Sequence, residues 1–104
     1  MTHSVYHLVD PVTHVVRYVG KTKTPKSRLN AHIKESLERQ NTDKKAWIFG
    51  LHQQGLKPVM VVVGKYIEES MARIVESEEC KKHLPTIFNI HDPAKGAGDF
   101  RRGE

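Results

Sequence analysis

Ser4-Val5-Tyr6-His7-Leu8-Val9, then Asp10-Pro11-Val12-Thr13-His14, then Val15-Val16-Arg17-Tyr18-Val19-Gly20, is the stretch that decides the fold. The first run is short and β-rich and stops at Asp10-Pro11, a turn signal. The second is a β-branched and aromatic run that stops at Gly20. So short a connection predicts an antiparallel hairpin. Tyr6 and Tyr18 share parity, so both phenols could project from one face of it, either as packed aromatics or as site groups.

Downstream, Gly20 to Arg28 holds four basic residues and no acid. Thr24 followed by Pro25 predicts a helix start, a capping hydroxyl and then proline at the first helical position. Leu29, Ile33 and Leu37 recur at i+4 and predict its buried stripe, with an end near Gln40-Asn41. Asp43 is expected to cap a second helix, with Trp47, Ile48 and Leu51 inward and Gly55 closing it. Val59-Met60-Val61-Val62-Val63 is apolar on both faces, the pattern of a central strand covered by helices. A third helix is expected from about Ile67 to Leu84, with Ile67, Met71, Ile74 and Val75 in its stripe and Pro85 ending it. The order is β-β-α-α-β-α, an α+β sandwich-like domain of three strands flanked by helices. It is expected to occupy residues 1–92, with 93–104 a flexible basic tail.

The chain has 104 residues, enough for one modest core. Its 38% hydrophobic content argues against disorder. A formal charge of +5 favours a polyanionic partner, nucleic acid before anionic membrane. Cys80 is the one cysteine, which rules out an intramolecular disulfide and fits a cytoplasmic protein. No apolar run at the start suggests a secretory signal, and Val59–Val63 is too short to span a bilayer, so no membrane role is expected. Seven histidines raise a zinc reading, but there is no C-x-x-C and no H-x-x-x-H on a clear helix. His3 and His7 are four apart only on a predicted strand.

Several polar residues stand where chemistry could use them. Arg28 and His32 are i and i+4 on the first helix and meet on one face beside the apolar stripe. Such a pair suits phosphate charge stabilisation and proton transfer, and equally a solvated face. On the third helix, Glu76 lies in a row with Ala72 and Cys80, small neighbours that could partly enclose a carboxylate. Helical phase prefers it to Glu79 by little.

These residues resemble those of the GIY-YIG nucleases. Val5-Tyr6-His7 and Tyr18-Val19-Gly20-Lys21-Thr22 look like the paired signature, though the first triplet keeps only its tyrosine. Arg28-Leu29-Asn30-Ala31-His32 is similar to the family's R-x-x-x-H helix. Ala72 to Glu76, then Leu84-Pro85-Thr86-Ile87-Phe88-Asn89, resembles its glutamate helix and closing asparagine. The resemblance covers about residues 4 to 89 and implies a three-stranded antiparallel sheet and a one-metal endonuclease. Glu76 would then be the direct carboxylate ligand of Mg²⁺ or Mn²⁺, Arg28 would bind the scissile phosphate, and Asn89 would hold site geometry. Tyr6 or Tyr18 would orient or deprotonate the attacking water. An unperturbed phenol titrates near 10, so it needs help from His32, Lys21 or the metal.

The partner implied is duplex or branched DNA. Lys21, Lys23, Lys26, Lys44 and Lys45 are the expected nucleic-acid contacts, joined by Lys95, Arg101 and Arg102 in the tail. About fifteen residues follow Asn89, too few for a separate DNA-reading domain. Specificity would then come from the domain's own surface, a homodimer or a partner protein. Two other readings remain, a catalytically silent nucleic-acid-binding module of the same fold and a protein-interaction subunit. Tyr6, Tyr18, Arg28, His32 and Glu76 together speak for the nuclease, because a pure binder has no need of an isolated glutamate near phosphate.

Overall fold

The computed structural model describes residues 2–84 and 86–88. Its elements are β1 (His3–Val9), β2 (Val16–Thr22), α1 (Pro25–Glu38), α2 (Asp43–Gln53), β3 (Val59–Tyr66) and α3 (Glu69–His83). The order β-β-α-α-β-α and the three-stranded antiparallel sheet agree with the expectation. Pro85, Asn89 and the tail from 93 to 104, with Lys95, Arg101 and Arg102, lie outside the described residues.

Asp10 builds the hairpin turn. Its Oδ1 accepts from the backbone N–H of Val12 at 2.8 Å and of Thr13 at 3.1 Å, a side-chain mimic of a backbone turn. His14 takes the left-handed conformation that closes it, φ 62°. The other Asp10 oxygen accepts from Trp47 Nε1 at 2.9 Å, which ties the turn to α2.

The sheet order is β2-β1-β3, so β1 is central. This corrects the expectation for Val59–Val63: β3 is an edge strand, and Val59, Val61, Val62 and Val63 are exposed. The sequence pattern misled because β1 buries polar residues, Ser4 and His7, and so looks less apolar than the strand beside it. Two hydrophobic clusters cover the two faces. Val5, Val19, Ala72, Cys80 and Ile87 pack under α3, while Tyr6, Leu8, Tyr18 and Ile48 pack under α1 and α2.

Both outer helices bury only part of the apolar stripe their spacing suggested, Leu29 and Ile33 on α1 and Val75 on α3, and turn a neighbouring row deeper. On α1 the fully buried residues are His32 and Ser36; Leu29 and Ile33 are half-buried and Leu37 is 44% exposed. The row 28-32-36 faces Tyr6, and two polar contacts hold it: His32 bonds Tyr6, and Ser36 Oγ donates to the Ile33 carbonyl at 2.6 Å. On α3 the inward residues are Ala72, Val75 and Cys80, whereas Ile67 is 82% exposed and Met71 and Ile74 also face solvent. Small side chains let this helix approach the sheet closely. Thr42, rather than Asp43, caps α2, its Oγ1 accepting from Lys45 N at 3.2 Å. Asp43 is the first helical residue, where its charge suits the helix dipole.

Candidate active site

Four elements meet around a cavity of about 200 Å³, lined by Tyr6, Tyr18, Lys21, Arg28, Glu69, Arg73 and Glu76. β1 brings Tyr6, β2 brings Tyr18 and Lys21, α1 brings Arg28, and α3 brings Glu69, Arg73 and Glu76. A larger groove of about 610 Å³ lies elsewhere, between the start of α1 and β3, and its lining is mostly apolar. Chemistry belongs to the smaller cavity, where titratable groups converge.

Tyr6 is opposite Gly20, and Tyr18 opposite Leu8, so the two tyrosines are diagonal neighbours across β1 and β2. Their ring centroids are 6.3 Å apart. Both are buried and both line the cavity. Gly20 is required by this packing, for the Tyr6 ring lies against its Cα.

The Tyr6 hydroxyl and His32 Nε2 are 2.7 Å apart in the buried layer. Burial, with the positive charges of Lys44 and Arg28, lowers the His32 pKa from 6.5 to about 2. It is therefore neutral, and in the tautomer with its proton on Nδ1 its Nε2 accepts from the phenol. Burial likewise pushes the Tyr6 phenol up to about 12. Arg28 opposes this through its charge and a hydrogen bond to the phenol oxygen, but burial dominates. Tyr6 is thus a neutral phenol in a fixed orientation.

Arg28 also lies 3.6 Å from Glu35. Lys21 pairs with Glu69 at 3.2 Å, and Arg73 with the same carboxylate at 3.5 Å. Glu69 is held below the usual carboxylate range, first by the Lys21 hydrogen bond and then by the charges of Lys21 and Arg73. Glu76 is half-buried at the cavity wall. Glu79 points elsewhere, toward His7, 2.8 Å away.

Of the sequence-predicted residues, Tyr6, Tyr18, Arg28 and Glu76 come together with Lys21, and His32 stands behind Tyr6. Lys23 and Lys26 are exposed nearby. Lys44 is 4% exposed, its ammonium 4.6 Å from the centre of the Tyr18 ring. Lys45 is half-buried at the start of α2, 3.4 Å from Asn41 Oδ1. Asn89 lies outside the described residues; Phe88 before it sits between Arg17, 4.0 Å away, and Trp47. Sequence reasoning missed Glu69 and Arg73. Their signal was present, because 69, 73 and 76 form one i, i+4, i+7 row on α3.

The family model of the GIY-YIG catalytic domain matches residues 2–86. No curated protein and no solved structure matches the chain.

Proposed function

The chain belongs to the GIY-YIG family, a family of endonucleases, and we propose that it hydrolyses a DNA phosphodiester with one divalent cation held by Glu76. The observation that carries this is the convergence of two phenols, three cations and two carboxylates on one small cavity. Phosphate needs the cations, and a hard divalent ion needs a carboxylate oxygen.

GIY-YIG nucleases generally depend on a divalent metal. The donor set fits Mg²⁺ or Mn²⁺: one hard carboxylate, Glu76, opens on a cavity with room for several waters, and magnesium keeps most of its own. When bound, such an ion stabilises charge on the phosphate and leaving oxygens and acidifies a bound water. Glu69, already neutralised by Lys21 and Arg73, is a weaker candidate.

The chain's own residues do the rest. Arg28 presents a planar fork that binds a phosphate oxygen while donating to Tyr6. Tyr6 donates a hydrogen bond to His32 Nε2 and accepts one from Arg28, which leaves one lone pair to accept from the attacking water. At a pKa of about 12 it orients that water rather than deprotonating it. His32, held neutral, is a positioning residue that fixes the phenol. Tyr18 closes the other wall. Lys23 and Lys26, with Lys21, supply a basic rim for the DNA backbone.

The test is nicking of supercoiled plasmid with Mg²⁺ or Mn²⁺. Wild type should cut, and Glu76→Ala should lose cleavage while keeping its thermal transition. A wild-type chain that binds DNA but never cuts would replace this reading with the silent binding module.

A further inference from the structure

We infer that His7, Glu79 and His83 form a second cation site, for a borderline divalent ion of the zinc class. One donor atom from each lies within 4.8 Å of the others. Glu79 Oε1 is 2.8 Å from His7 Nε2 and 3.7 Å from His83 Nε2. The two imidazoles meet edge to face, 4.7 Å between centroids.

The geometry is close to what such an ion needs. Zinc sits about 2.0–2.2 Å from nitrogen and oxygen donors, so tetrahedral donors stand roughly 3.3 Å apart. The two distances from Glu79, 2.8 and 3.7 Å, bracket that spacing, and all three donors lie within 4.8 Å of one another. Glu79 and His83 are i and i+4 on α3, which aims both side chains one way, and β1 supplies the third ligand across the interface. Lys82 Nζ, 3.3 Å from Glu79 Oε2, holds the oxygen that the ion does not use. Three protein ligands leave a fourth position for water.

The donor chemistry separates this site from the Glu76 cavity. Two imidazoles and one carboxylate suit zinc, cobalt or nickel; magnesium takes oxygen ligands. Binding would replace the proton between His7 Nε2 and Glu79 Oε1 and release it to solvent. Such an ion would join β1 beside Tyr6 to α3 one turn beyond Glu76, cross-linking the two elements that carry those groups.

The test needs no cleavage assay, so it stands apart from the nuclease reading. The full chain is titrated with Co²⁺ as a spectroscopic probe and melted with and without one equivalent of Zn²⁺. Wild type should bind one Co²⁺ with the intense visible bands of a low-coordinate ion, and Zn²⁺ should raise its Tm. His83→Ala, at a partly exposed position, and the isosteric Glu79→Gln should each weaken Co²⁺ binding at least tenfold. Glu76→Ala should bind as wild type does. The inference is overturned if wild type shows neither band nor Tm shift, if both ligand variants bind as tightly as wild type, or if Glu76→Ala loses the ion.

Discussion

Replacing Gly20 with alanine tests the packing on which the proposed chemistry depends. A Cβ at this position would lie 2.4 Å from Cζ and from the hydroxyl oxygen of Tyr6, where ordinary contact begins at 3.4 Å. Relief requires the phenol to move by the difference between 3.4 and 2.4 Å, about 1 Å. The ring is buried on both sides, so the movement takes its hydroxyl away from His32, now 2.7 Å off, and out of line with Arg28. A misplacement of about 1 Å at a reacting centre costs on the order of 100-fold in rate. Stranding the buried His32–Tyr6 pair costs about 1–3 kcal/mol of stability, a Tm loss of several degrees for a domain of this size. Gly64→Ala is the control. Its Cβ would lie 2.3 Å from the Tyr66 hydroxyl, an equal clash with a ring that does not line the cavity. Plasmid nicking and thermal melts should show both variants destabilised and only Gly20→Ala slowed about 100-fold. Cleavage by Gly20→Ala within threefold of wild type would refute the claim that Tyr6 must be held in place, and equal rate loss in Gly64→Ala would trace the effect to general destabilisation.

Arg28→Lys keeps the charge but loses the fork and the bond to Tyr6, and cleavage should fall by roughly 10²–10³; single-turnover rates near wild type would remove Arg28 from the phosphate. Stability should fall as pH drops below 6.5, because the unfolded chain protonates His32 there while the folded chain resists to about 2. The slope from this residue is up to about 1.4 kcal/mol per pH unit, and denaturant unfolding of His32→Gln should be flatter in that window by this amount. DNA binding by Glu76→Ala should weaken with salt. At about −0.9 per phosphate, Lys23 and Lys26 alone give a log–log slope of about −1.8, and the addition of Lys21 and Arg28 gives about −3.6. Lys21 and Arg28 already face Glu69 and Glu35, so a value between these limits is expected, and a flat dependence would overturn the electrostatic account.

What the sequence determined by itself is whatever depends on neighbours along the chain. Backbone sterics and turn chemistry are local, so Asp10-Pro11 marks the hairpin turn and Pro25 the start of α1. The shared parity of Tyr6 and Tyr18 and the pairing of Arg28 with His32 were legible for the same reason, since helix and strand periods place such residues on definable rows. The tertiary structure decided which face of each element turned inward, because burial is settled between elements. Val59–Val63 has the composition of a core strand yet lies at the edge, since β1 alone is paired on both sides. Leu29 and Ile33 pack against the core as their spacing suggested, but the deepest row of α1 is His32-Ser36, because a hydrogen bond to Tyr6 holds His32 Nε2 where no sequence window could show it. Glu76 and Glu79 differ by three residues and by little in helical phase. Only the packing of α3 against β1 sends one to the cavity and the other to His7, because that choice depends on a partner 72 positions away along the chain.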